Sequence, residues 1–298
     1  MPEKQNIMQE NIPLQSYYAS LESRVGYQLF LGGTRHFGYY EPGSWWPFPI
    51  GRALRRMEDS LARSLDLPAG NRVLDAGCGY GHVAIHLART HGLLVTGIDV
   101  VDRHIARARR NVAMAGMHER ISIENMDYHH LENIPSGSFD GVYTMETFVH
   151  ATDPSIVLDG FFRVLKPGGP IALYEYDHVT PTDVSGELAR NFDLVNTYAA
   201  MPANALFEQG TLPSYLEKAG FVDVEVRDLS ENMKPMLRLF FIVAYIPFLI
   251  IRCFGLEAYF INTVAAVVGY QYRDHHRYVA VTARKPWRAD TQAVRQRK

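Results

Sequence analysis

Three acids are the first residues of this chain equipped for binding chemistry. Asp75 ends a short apolar run and stands at the mouth of the loop AGCGYG, with glycine at Gly77, Gly79 and Gly81. Asp99 closes the apolar run LLVTGID, 24 residues beyond Asp75, and Asp127 closes ISIENMD. Glycine lets a backbone take positive φ and come nearer to a ligand than a Cβ allows. The next run, HVAIHLARTHG, has helical apolar spacing, so its first turn offers free N–H groups and a partial positive charge. Phosphate and dinucleotide sites use the same strand–loop–helix device. Asp75 changes the reading, because an acid at the loop mouth repels a pyrophosphate and suits a ligand with an ammonium group. Asp99 is placed to accept from ribose hydroxyls, and Asp127 from the amino group of an adenine. A nicotinamide-dependent dehydrogenase would need GxGxxG, and in GCGYGH the third glycine comes one residue early.

These acids need a scaffold that brings them to one edge. Strand-like runs alternate with helical patterns from Arg72 to Leu229, which predicts a parallel α/β sheet. FDGVYTME (Phe139 to Glu146) reads as a fourth strand. RVLKPGGPIALYEYD holds a turn and a fifth, and FVDVEVRDL a sixth.

S-adenosylmethionine carries the ammonium group that Asp75 suits. DAGCGYG, GID, NMD and LKPGG stand in the order and spacing of the class I S-adenosylmethionine-dependent methyltransferases. Over residues 15 to 230 the chain resembles that family, and within it the sterol and tocopherol methyltransferase group of small-molecule enzymes. The resemblance implies a Rossmann-like α/β fold: a seven-stranded, mostly parallel sheet with helices on both faces. It adds a final antiparallel strand, for which YVAVTAR (Tyr278 to Arg284) alternates suitably. It also implies S-adenosylmethionine as cofactor. Asp75, Gly77, Cys78 and Gly79 are expected at its methionyl part, Asp99 and Val100 at the ribose, and Met126, Asp127 and Tyr128 at the adenine, with Met145 beside them. HFGYY is similar to the aromatic segment that covers the cofactor in the tocopherol and sterol group, which makes Tyr18, His36 and Tyr39 contact candidates. TMETFVHATD is similar to the stretch where the sterol C-methyltransferases place an acid and, four residues on, a histidine on the acceptor side. Here these are Glu146 and His150, the expected catalytic pair. His150 would be a general base near neutral pH, and Glu146 would orient it, bind a hydroxyl or stabilise a cation. Asp177 and His178 rank second.

A chain of 298 residues with net charge −2 can bury a substantial core, and it shows no basic stripe with interleaved aromatics, which argues against nucleic acid as substrate. Two cysteines cannot build a disulfide framework and fit a reduced, cytoplasmic setting. The histidines show no ligand spacing with those cysteines, so no metal is expected. The chain divides into an N-terminal helical and aromatic cap (1–66), the cofactor-binding core (67–230), an apolar insert (231–275) and the last strand with a basic tail (276–298). Trp45, Trp46 and Phe48 read as closing the core edge, as walling a substrate pocket or as an interfacial contact. Arg52, Arg55, Arg56, Glu58 and Asp59 read as a solvated helix face. The insert holds LFFIVAYIPFLII, which is short for a membrane span and broken by Pro247. It reads as a helical lid over the acceptor, as a peripheral membrane contact through 239–268 or, at the cost of placing Glu257 and Asn262 in lipid, as a transmembrane hairpin. A homodimer is left open.

Methyl transfer from a sulfonium rests mainly on holding the acceptor at attack distance in a site that excludes water. The apolar insert and the aromatic segment point to an apolar acceptor: a terpenoid, a sterol-like lipid or a polyketide of secondary metabolism. Oxygen is slightly favoured over carbon. The alternatives are a sterol-type C-methyltransferase and a cofactor-binding regulatory protein without turnover; the intact acids argue against the latter.

Overall fold

The computed structural model describes residues 11–179 and 186–287. The basic tail and the first ten residues lie outside them. The chain opens with helices α1 (Ile12–Ala19) and α2 (Leu21–Leu31), then α3 (Ile50–Leu65). The core follows as β1 (Arg72–Ala76), α4 (His82–Thr90), β2 (Leu94–Asp99), α5 (Asp102–Met114), β3 (Ile121–Asn125), β4 (Gly141–Met145), α6 (Pro154–Val164) and β5 (Pro170–His178). It is completed by α7 (Gly186–Tyr198), α8 (Thr211–Lys218), β6 (Val222–Asp228), the insert helices α9 (Ser230–Cys253) and α10 (Ile261–Gln271), and β7 (His276–Arg284).

The seven strands form one sheet in the order β3-β2-β1-β4-β5-β7-β6, and only β7 runs antiparallel to its neighbours. This is the seven-stranded Rossmann-like fold expected from the sequence. Neighbouring residues on each central strand point to opposite faces, and both faces are buried, as parallel sheets require. Leu74, Val142, Phe161 and Leu173 lie in one layer; Val73, Tyr143, Tyr174, Leu61 and Leu87 lie in the other. The strand order reverses at β1 and β4, and the acids stand at the carboxyl edge beside that crevice, where open α/β sheets bind ligands.

A third core joins cap to insert: Tyr17 of α1, Ala244 and Phe248 of α9, and Ile261, Val264 and Val267 of α10. Glu22 of α2 accepts from the first N–H groups of α10, Asn262 at 2.8 Å and Thr263 at 2.7 Å, which meets orphan donors with a negative charge. The insert is thus helical, but α9 runs unbroken through Pro247. Pro247 is on the exposed face, where water can reach the carbonyl that its missing N–H leaves behind. Two other expectations fail. Trp45 and Trp46 are 72% and 67% exposed and do not close the core edge. Glu58 is fully buried rather than solvated: Arg55 lies 2.7 Å and His36 Nε2 3.2 Å from its oxygens.

Phe161 is completely enclosed between α6 and the sheet. Phe161→Ala should lower unfolding free energy by about 3–5 kcal/mol, the range for deleting a buried aromatic ring. A urea midpoint equal to wild type would show that the layer it fills is not part of the cooperative core.

Candidate functional site

Two adjoining cavities open at the carboxyl ends of β1 to β4. Tyr18, Gly77, Asp99 and Thr147 line both. The first also takes His36, Asp75, Cys78, Gly79, Met145 and Glu146; the second takes Val100, Met126, Asp127, Tyr128 and His150. Every cofactor and catalytic residue expected from the sequence is therefore at the cavities except Tyr39. That residue packs into the core on the α3 side, its N–H donating to Ala53 O at 2.9 Å.

The loop after β1 is shaped by close approach. Gly77 has φ 93°, and a Cβ there would fall 2.6 Å from the side chain of Thr147. Its N–H and that of Cys78 both donate to Ile98 O at 2.9 Å, tying the loop to β2. Asp99 accepts from the N–H of Gly79 at 2.9 Å, from the N–H of Val101 at 2.9 Å and from His104 Nδ1 at 3.2 Å. Burial works to raise its pKa, but His104 and the two backbone donors outweigh it and hold the carboxyl below its usual range. Asp127 accepts from Asn11 Nδ2 at 2.8 Å and His129 Nδ1 at 2.6 Å. There too burial is outweighed, chiefly by His129. Asp75 differs. It is 3% exposed, its Oδ2 has no hydrogen-bond partner, and burial pushes its carboxyl up to about 7.

The expected catalytic pair is in place but occupied. Glu146 sits just past β4 with φ 58°, a left-handed backbone that costs a side-chain-bearing residue roughly 1–2 kcal/mol. The turn aims its carboxylate at the HFGYY segment, where Oε1 accepts from the Phe37 N–H at 2.6 Å and Oε2 from the Tyr176 hydroxyl. Burial raises its pKa, offset in part by Tyr176. His150 Nδ1 lies 2.7 Å from Ala200 O, which can only accept, so Nδ1 carries the proton. Nε2 then accepts from Tyr18 O–H at 2.9 Å. Burial drives the imidazole pKa down to about 4. Glu146 and His150 line different cavities and do not bond to each other.

The second-rank pair is elsewhere. Asp177 is bound by Arg277 Nε at 2.9 Å, and His178 packs against Phe192 with ring centroids 4.7 Å apart. Arg35, Tyr80, His104, Asn11 and Thr147 line the cavities without having been singled out in the sequence. Arg35 and Tyr80 did carry a signal, since each adjoins a motif, TRHFGYY and GCGYG. Asn11 and His104 carried none. Away from the cavities, Asp59, His86 and His91 place three metal-capable atoms within 4.8 Å, with both imidazoles bonded to Asp59 at 2.7 and 3.0 Å. They come from α3, from α4 and from the residue that ends α4, so linear spacing does not reveal them.

Comparison with known proteins bears on this site. A family model described as a methyltransferase domain matches residues 73–169. The chain is 46% identical over 277 residues to the S-adenosyl-L-methionine-dependent Diels-Alderase iccD of Talaromyces variabilis, covering 92% of this chain and 94% of that protein. It is 47% identical over 219 residues to the S-adenosyl-L-methionine-dependent Diels-Alderase iliD of Neonectria sp. (strain DH2), covering 72% and 84%. The crystal structure of the [4+2]-cyclase SpnF shares the fold, with TM-score 0.69 and 24% identity over 94% of each chain.

Proposed function

The chain belongs to the class I S-adenosylmethionine-dependent methyltransferase family, and from that premise we propose a cofactor-requiring cyclase that folds an apolar polyene of secondary metabolism for an intramolecular [4+2] cycloaddition. The observation that carries the reading is the occupied pair. A cycloaddition makes two σ bonds from π electrons within one molecule; no proton, methyl group or leaving group moves. The enzyme's task is to hold a folded conformer in a dry site. It needs no general base, and the base candidates here are spent on hydrogen bonds that shape the site. The relatives iccD and iliD support the same chemistry. Beside Glu146, Phe37 has Tyr176, Phe240 and Tyr278 at ring centroid distances of 5.9–6.3 Å. These rings pack behind Glu146 and give that side of the site an apolar backing.

The cofactor assignment follows the cavities. Asp75 and the Gly77–Gly79 backbone take the methionyl part, Asp99 and Val100 the ribose, and Met126, Asp127 and Tyr128 the adenine, under Tyr18 and His36. When bound, the cofactor supplies a sulfonium charge and a transferable methyl group. A second reading, methyl transfer to oxygen or carbon of a terpenoid, sterol-like or polyketide acceptor, is favoured by Met145 and Glu146 lining the same cavity as Asp75.

Metabolites of cells with and without the gene separate the two. Loss of a cyclase leaves an uncyclised isomer of unchanged mass, whereas loss of a methyltransferase leaves a methyl-shifted precursor. In the purified reaction His150→Ala should change turnover less than about tenfold. A loss of two to four orders of magnitude, the range of a positioned base, would restore the methyl-transfer reading.

Asp75 makes cofactor binding pH-dependent. With the carboxyl at about 7 in the free protein, it is largely protonated at pH 6 and ionised at pH 8. An ammonium ligand favours the ionised form, so binding releases a proton below pH 7. Affinity for S-adenosylhomocysteine should rise about tenfold from pH 6 to pH 8 and become flat in Asp75→Asn. Calorimetry in buffers of different ionisation enthalpy measures the proton released, and a pH-independent wild type would remove Asp75 from the site.

The insert supports a peripheral membrane contact through 239–268, from which an apolar substrate would enter. Ile242, Ile246, Ile250 and Phe254 of α9 and its end are 56–71% exposed at four-residue spacing. An apolar stripe of this kind suits the bilayer interface. Full-length protein should co-sediment with lipid vesicles and the double variant Ile246→Glu, Ile250→Glu should not. Equal recovery of both in the supernatant would leave the insert as a lid alone.

A further inference from the structure

Asp75 and Arg35, of opposite charge, both line the first cavity, and each keeps buried polar atoms without a hydrogen-bond partner. Asp75 keeps Oδ2 without a hydrogen-bond partner. Arg35 lines the same cavity with Nε and Nη1 buried and unpartnered. Its guanidinium carbon lies 4.5 Å from the ring centroid of Tyr18, 4.7 Å from that of Tyr27 and 5.0 Å from that of Tyr80. Among the described residues no acid forms an ion pair with it. Ring faces stabilise the cation but leave the N–H donors at its edge unused. Buried charges without partners are costly, and a fold retains them where a ligand completes them. A ligand that completes both at once carries an ammonium and a carboxylate on the same small group, which is the chemistry of an α-amino acid.

We propose that Arg35 binds the carboxylate of the cofactor's methionyl end, so that Arg35 and Asp75 form a clamp for an amino-acid zwitterion. The inference rests on the cofactor reading above and adds a residue that the sequence reading had not singled out. A planar guanidinium suits the place. It can stack on the tyrosines through its faces while its edge makes paired bonds to a carboxylate, whereas a lysine ammonium offers no flat surface.

The clamp also assigns the cofactor a structural task. Tyr18 belongs to α1, Tyr27 to α2 and Tyr80 to the Gly-rich loop, so the cage around Arg35 spans cap and core. Tyr18 further reaches His150 past β4. A carboxylate that fixes Arg35 thereby fixes the tyrosines that close the cap. This task consumes no methyl group, and S-adenosylhomocysteine, which has the same zwitterion, performs it as well as S-adenosylmethionine.

Calorimetry on the full-length protein with three probes tests the clamp. S-adenosylhomocysteine has both charges, decarboxylated S-adenosylmethionine keeps only the amine at its tail, and 5′-methylthioadenosine lacks the tail. Arg35→Gln should weaken S-adenosylhomocysteine about 10- to 100-fold, the loss of a charge-assisted pair, and leave the other two within about threefold. Asp75→Asn should weaken both amine-bearing probes and spare 5′-methylthioadenosine. Arg35→Lys, which keeps the charge, should recover part of the S-adenosylhomocysteine affinity. An Arg35→Gln protein that loses all three probes alike would show that Arg35 only supports the fold, and unchanged S-adenosylhomocysteine affinity would remove it from the site. Either result overturns the clamp. A wild-type protein that binds none of the three overturns the cofactor reading itself, and the clamp with it.

Discussion

A buried carboxylate must be answered by donors, and this molecule gathers several at one edge of one sheet. Their needs shape the loops around the site. Asp99 draws in the N–H groups of Gly79 and Val101 and the imidazole of His104, which bends the Gly-rich loop toward β2. Asp127 draws in His129 and the capping helix through Asn11. Glu175 on β5, fully buried and pushed up to about 8 by burial, accepts from Thr144 and from the N–H groups of Thr147 and Phe148, which sets the turn beyond β4. Glu146 holds the HFGYY segment by the N–H of Phe37. Only Asp75 among these acids at the cavities has neither a backbone nor a histidine donor. The acid left wanting is the one that an ammonium ligand would reach.

The same accounting bears on the reaction. A residue serving as general base needs a free lone pair and a pKa near the working pH. His150 has its lone pair committed to Tyr18 and its pKa held near 4. Glu146 has the strained backbone that often marks a functional position, yet its oxygens are committed to the wall of the site. An acid and a histidine that would carry proton chemistry on one substrate here define a shape.

The fold was legible in the sequence because its signals are local. The strand and helix periods, the glycines and the three terminal acids each act within a few residues of themselves, and the observed strands fall on the expected runs. The residues assigned to the cofactor sit within those same runs, so their gathering at the cavities, Tyr39 excepted, was legible for the same reason. What was not legible depends on long-range partners. Glu58 looks like one more charge on a helix face until His36 and Arg55 are brought to it. Tyr39 shares a motif with His36 but points into the core. Pro247 reads as a helix breaker unless one knows that its face meets water. Asn11 acquires meaning only when the cap folds over the sheet.

That folding-over is cooperative by construction. The cap cannot bury Tyr17 without α9 and α10 of the insert, which arrive more than 200 residues later. Glu22 caps α10 only once that core has formed, and Tyr17 bonds Asn262 at 2.6 Å within it. Such contacts close long loops and draw on little local structure, so this layer has the least intrinsic support in the molecule. The cap's hold on the sheet runs through Asn11 at Asp127, Gln15 at Val100 O and Tyr18 at His150, beside the cavities where ribose and adenine are assigned. A ligand bridging those cavities and the Arg35 cage would contribute contacts on both sides of the weakest seam.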